Sequence, residues 1–126
     1  MNIPLLIMVA VAGGVGAALR YLVDNAIRRN LAGRSPYPWG TMVINLSGSL
    51  LLGVITGYAT GHVGQAWATV AGVGLLGGYT TFSTASVETV RLLADRRYRA
   101  GLINGLGMLL GGVLAAYGGL LLGRLG

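Results

Sequence analysis

The 126-residue chain contains no cysteine and a single histidine, His62. Disulfides, thiolate metal sites and any multi-histidine centre within one chain are thereby excluded. Charge is scarce: 10% of residues are charged, nine basic against three acidic, and every basic residue is an arginine. An ordinary soluble domain carries roughly 25% charged residues, so that class is excluded as well. Catalysis finds no support, because the chain has no Ser-His-Asp set, metal cluster or phosphate loop. The letters Gly72-Val73-Gly74-Leu75-Leu76-Gly77 spell a dinucleotide-type string, but it follows no strand and opens no soluble helix. A net charge of +6 would suggest nucleic acid in a soluble protein. Here the arginines flank apolar runs, which is the signature of a membrane chain and not of a nucleic-acid binder. No basic residue precedes the first apolar run, so that run reads as a retained helix rather than a cleaved signal.

What is present is apolar. Hydrophobic residues make up 54% of the chain, and 23 residues are glycine. Glycine is common in membrane helices because it lets backbones approach closely. The expectation is one all-α integral membrane domain covering residues 1–126, with four helices at about 3–23, 40–60, 67–93 and 100–122. Each is close to the ~20 residues needed to span a bilayer. The segment between the first two helices, ending Gly33-Arg34-Ser35-Pro36-Tyr37-Pro38-Trp39, reads as a loop or short surface helix. His62 falls in the short second loop and reads as a solvated residue.

With four spans, loops 1 and 3 share one side, and the termini share the other with loop 2. Eight arginines (Arg20, Arg28, Arg29, Arg34, Arg91, Arg96, Arg97 and Arg99) lie on or near the first side, and only Arg124 on the second. The positive-inside rule places loops 1 and 3 in the cytoplasm and both termini outside.

The third span contains the least ordinary stretch. Two adjacent glycines, Gly77 and Gly78, precede a run from Tyr79 to Ser86 in which six of eight residues carry hydroxyls. Glycines weaken a helix, so this span is expected to break near residues 77–81. Irregular backbone at membrane depth is tolerated only where protein buries it or water reaches it. The break is therefore the first candidate for a permeation or binding site.

Two chemistries suit it. An anion would need donors and a positive field. Arg20, the Asn45 amide, the hydroxyls of Thr41, Ser83 and Thr84, and the helix ends at the break can supply them. Phe82 can add the positive edge of its ring. A cation would use freed carbonyls around Gly77 and Thr80, and a monovalent ion suits them better than a divalent one because the break holds no carboxylate. Each residue also has a plainer role. Arg20 can snorkel to the interface, Asn45 can glue helices together or hold the broken segment, and Phe82 can be a packed ring. Glu88, the one acid well inside an apolar segment, can pair with Arg91 on its own helix or brace the break.

These residues resemble the fluoride channel family called Fluc or CrcB. Gly13-Gly14-Val15-Gly16-Ala17-Ala18-Leu19-Arg20-Tyr21 is similar to its first-helix signature, and Trp39 to Ser49 to its second. Gly77-Gly78-Tyr79-Thr80-Thr81-Phe82-Ser83-Thr84, followed by Glu88, resembles its third-helix break, and Arg97-Tyr98 fits before the fourth helix. The resemblance implies a passive channel that lets cytoplasmic fluoride escape across the cell membrane. It implies a dimer of oppositely oriented subunits, with a central sodium ion held by backbone carbonyls that map to Gly77 and Thr80. It implies a pore lined by residues that map to Phe82, Ser83, Thr84 and Asn45, and a vestibule arginine that maps to Arg20.

There are two departures. Ala85 stands where the family usually has a second phenylalanine. In helix 4, Asn104 is polar, but Met108 and Gly112, one and two turns on, are not. A subunit that inserts both ways should also carry little arginine bias, whereas this one is strongly biased. Together these features point to one half of a pair of differing subunits, as against a homodimer. Two further readings are a non-conducting accessory subunit, which Ala85 favours, and a small multidrug-type transporter. The latter relies on a first-helix carboxylate, and this chain has no acid before Asp24.

Overall fold

The computed structural model describes residues 2–32, 38–60 and 66–126. Arg34 and His62 lie outside them. The described residues form an all-α membrane protein. Helix α1 spans Ile3–Ile27 and runs on as a π-helical turn, Arg28–Ala32. Its start is set by Asn2, whose side chain accepts the Leu5 amide at 2.9 Å, and by Pro4 in the first turn. Helix α2 spans Trp39–Ala59. The third span is composite: α3 (Ala66–Thr69), a π-helical stretch (Val70–Leu76), α4 (Gly77–Tyr79), an extended step, and α5 (Phe82–Ala94). Helix α6 spans Tyr98–Arg124.

Three unbroken stretches, Ile3–Asn30, Trp39–Ala59 and Tyr98–Arg124, are long and apolar enough to cross a membrane. At about 1.5 Å per residue, the shortest matches a hydrocarbon core of about 30 Å. The fourth crossing is the broken one. The first helix extends beyond its expected end at residue 23. An ion pair between Asp24 and Arg28 (3.1 Å) and a bond from Asn30 Nδ2 to the Ala26 carbonyl (2.9 Å) support the added turns.

Packing follows the small residues. Along the α2–α6 seam, a Cβ on Gly53 would fall 2.1 Å from the Ala116 carbonyl oxygen, and one on Gly119 would fall 2.2 Å from that of Leu50. The helices meet backbone to backbone, as membrane helices do where only glycine fits. On the other flank, α1 holds the composite span in the same way: a Cβ on Gly78 would lie 2.0 Å from the Gly13 carbonyl oxygen. Few large apolar side chains are buried within the chain; Ile44, Leu76 and Leu92 are, while Leu6, Val11, Leu109 and Leu114 are exposed. That is the expected pattern where lipid, not water, covers the outside.

Contacts place the arginines. Gly40 at the start of α2 lies against Asp24 of α1, and Gly101 of α6 against Leu93 of α5. The end of α1, the start of α2 and the α5–α6 turn therefore share one end of the bundle, with Arg28, Arg29, Arg91, Arg96, Arg97 and Arg99. Arg124 lies at the other end, beside Gly57.

Candidate functional site

The break lies at Thr80 and Thr81, not at the glycines. Thr80 (φ −82°, ψ 159°) and Thr81 (φ −148°, ψ 113°) are extended, whereas Gly77 and Gly78 remain helical. Gly78 is used for contact with α1 rather than for bending.

What holds the break is Asn45 of α2. Its Oδ1 accepts the Thr81 amide at 2.9 Å, and its Nδ2 donates to the Thr81 carbonyl at 2.9 Å. One side-chain amide thus replaces both backbone partners that Thr81 would have in a helix. The second Nδ2 hydrogen reaches Met108 Sδ of α6 at 3.4 Å. A buried peptide group left unpaired would cost about 1–3 kcal/mol or more, so this amide is what makes the extended step tolerable. Tyr79 supports it from one side, its hydroxyl 3.0 Å from Ser47 Oγ of α2.

Thr81 then starts α5. Its Oγ1 accepts the Thr84 amide at 3.3 Å and donates to Thr84 Oγ1 at 3.1 Å, the geometry of an N-cap. In an uninterrupted helix the Thr81 amide would go to the Gly77 carbonyl and the Thr84 amide to that of Thr80. Both are diverted, the first to Asn45 Oδ1 and the second to Thr81 Oγ1. Gly77 and Thr80 are therefore the positions whose carbonyl oxygens lose their amide partners to side chains. Hard monovalent cations suit such oxygens. No cluster of three His, Cys, Asp or Glu side chains occurs among the described residues.

A cavity of about 740 Å³ opens beside the break, between α2, α5 and α6. It brings together Asn45, Gly77, Thr80, Phe82, Ala85 and Asn104. The Phe82 ring projects from the first turn of α5 and is 87% exposed on the single chain. Ala85, one turn along, adds only a methyl group to the wall.

Ser83 and Thr84 are exposed on the same turn but do not line this cavity. Thr41 and Arg20 lie elsewhere too. Thr41 is buried and donates to Glu88 Oε1 at 2.5 Å. Glu88 thus ties α5 to the start of α2; its bond is to Thr41, not to Arg91 of its own helix. Arg20 is half-buried on α1.

Asn104 is fully buried on α6. Its Nδ2 donates to Thr89 Oγ1 at 2.8 Å, and Thr89 Oγ1 in turn donates to the Ala85 carbonyl at 2.8 Å. Its Oδ1 has no partner.

Sequence reasoning missed three members of this arrangement. Thr81 is the pivot of the break, Thr89 is the partner of Asn104, and Met108 is the partner of Asn45. Thr81 had a signal, a hydroxyl three residues before another at a helix start. Met108 and Thr89 had none, because their partners are set by helix packing.

Known proteins resemble the chain along nearly its whole length. The family model described as "CrcB-like protein, Camphor Resistance (CrcB)" matches residues 7–120. The chain is 47% identical over 126 residues to "Fluoride-specific ion channel FluC 1" of Leifsonia xyli subsp. xyli, covering 97% of this chain and 89% of that protein. It is 48% identical over 120 residues to "Fluoride-specific ion channel FluC 2" of Cutibacterium acnes, covering 94% and 96%. It is 40% identical over 121 residues to "Fluoride-specific ion channel FluC 1" of Ligilactobacillus salivarius, covering 95% and 100%. A family model spanning nearly the whole chain, with relatives this similar over nearly their full lengths, makes the chain a member of the CrcB (Fluc) family.

Proposed function

We propose that this chain forms a fluoride channel and is not an enzyme. The observation that carries the reading is the Asn45-latched break at Thr80–Thr81, in a chain whose relatives are named fluoride-specific ion channels. Fluoride moves passively, down its gradient, and so leaves the cytoplasm when it accumulates there. Its hydration shell is replaced by donors along the path: the Asn45 amide, the hydroxyls of Ser83 and Thr84, and the ring edge of Phe82. Asn104 lines the same cavity, Thr41 is given over to Glu88 outside it, and Arg20 draws anions to the mouth of the path.

A sodium ion would be held by the Gly77 and Thr80 carbonyls, whose usual partners, the Thr81 and Thr84 amides, are diverted to side chains. Gly77 and Thr80 of a second, oppositely oriented subunit would complete the set of carbonyl oxygens around such a cation. Such an ion would brace the two breaks against each other. Loops 1 and 3 face the cytoplasm and the termini face outside, in keeping with the arginines gathered at one end.

The second subunit is a homologous chain rather than a copy of this one. Two features favour that reading: the arginine bias, which opposes dual insertion, and Ala85, which leaves the cavity wall without a second ring. The test is fluoride efflux from liposomes containing the purified chain, alone and with a homologous subunit of reversed arginine bias. Efflux is expected with the partner and not without it. Rapid efflux by the chain alone removes the paired reading. No efflux in either preparation removes the channel reading.

A further inference from the structure

The Asn45 amide carries more than the break requires. Holding Thr81 uses Oδ1 and one Nδ2 hydrogen. The other hydrogen is capped by the Met108 thioether at 3.4 Å, and both residues line the cavity. A thioether sulfur is among the weakest acceptors a side chain offers. Fluoride is a far stronger one.

Resting on the fluoride reading above, we infer that Met108 is an exchangeable stand-in for the anion: an entering fluoride displaces its sulfur from Asn45 while the two bonds to Thr81 stay intact. The latch and the anion contact are then served by different hydrogens of one amide, so permeation does not undo the break.

The two Thr81 bonds fix which way the amide faces, and the sulfur beside Nδ2 adds to them. Flipping Asn45 would turn Oδ1 toward the sulfur and Nδ2 toward the Thr81 N–H, setting acceptor against acceptor and donor against donor. Met108 is thus a positioning residue in the closed arrangement and yields when an anion arrives. Its unbranched side chain has three rotatable bonds, which lets it swing aside within a cavity of about 740 Å³.

The acceptor at position 108 should therefore compete with fluoride. Met108→Gln keeps the length and flexibility but offers a carbonyl oxygen, a stronger acceptor. Met108→Leu keeps the apolar bulk and offers none. The experiment measures fluoride efflux from liposomes across a range of fluoride concentrations, with the partner subunit present for every variant. Met108→Gln is expected to raise the half-saturating concentration about tenfold, the worth of one good neutral hydrogen bond, with maximal flux recovered at high fluoride. Met108→Leu is expected to lower it a few-fold. Equal half-saturating concentrations in all three overturn the inference. So does a Met108→Gln channel whose maximal flux falls without a shift, which is the mark of a packing defect alone.

A second readout stands apart from conduction. In detergent-solubilised protein, assigned by its loss in Asn45→Asp, the Asn45 side-chain amide should show one of its two protons moving on addition of sodium fluoride and not of sodium chloride. A preparation that passes no fluoride overturns the functional reading. An amide proton unmoved by fluoride overturns this inference, whatever the flux.

Discussion

The α2–α6 seam and the broken third span are built on opposite principles. The seam is made of backbone approaching backbone through Gly53, Gly57, Gly119 and Gly123, a contact repeated turn after turn. The break is made of polar bonds converging on a single side chain, Asn45. A repeated steric contact is insensitive to chemistry and sensitive to volume. A single amide is sensitive to chemistry, since its donor and acceptor must both face the right way. The seam therefore carries the fold, and the break carries the specialised backbone on which the proposed function rests.

The largest effect should come from adding volume to the seam. In Gly119→Val, Cβ would lie 2.2 Å from the Leu50 carbonyl oxygen, with backbone rather than a movable side chain in the way. The helices must part, at a cost of about 3 kcal/mol or more. Size-exclusion chromatography of the detergent extract should show aggregate in place of a discrete peak; a normal peak would break the contrast.

Next comes Asn45→Asp, which keeps the size and the acceptor for the Thr81 amide but loses both donations. The Thr81 carbonyl is left unpaired beside a carboxylate. With about 3 kcal/mol of the latch removed, fluoride flux should fall to about a hundredth or less while the peak position on the column stays. Full flux would detach the latch from function.

Phe82→Ile is smaller. The ring is 87% exposed on the single chain, so folding should not change, and flux should fall about tenfold, as a ring-edge contact worth about 1 kcal/mol or slightly more would imply. Unchanged flux would take Phe82 out of the path.

The smallest effect lies outside both regions. Arg96, in the α5–α6 turn, has φ 61°. The Arg96 amide bonds the Leu93 carbonyl at 3.1 Å and the Arg97 amide that of Leu92 at 2.8 Å, a left-handed helix end that glycine favours. Arg96→Gly should raise stability by about 1 kcal/mol, read as a higher midpoint of thermal unfolding, with flux untouched.

The same contrast explains what could be read from the sequence. Four spans, the broken third and the gathering of arginines at one end follow from apolar runs and charge, which are local properties. Asn45 was readable in outline, as an amide in a membrane helix that must find partners. The exact place of the break was not. Adjacent glycines suggested residues 77–81, yet Gly77 and Gly78 stay helical because α1 packs against Gly78, and the chain opens where Asn45 reaches it. Those partners lie 36 residues apart. Glu88 shows the same limit: the nearest arginine on its own helix was an obvious mate, but packing delivers Thr41 instead. The first helix runs past its expected end at residue 23. The segment that read as a loop or short surface helix begins as more helix, with the i,i+4 ion pair Asp24–Arg28 supporting it. The prolines and glycine that argued for a break come only later, at residues 33–38.

The most direct measurement records fluoride and chloride together, with two selective electrodes, as liposomes containing the chain and its partner subunit release their contents without ATP or a proton gradient. Release of fluoride with chloride retained is the predicted result. Release of both ions at similar rates, or of neither, would contradict it.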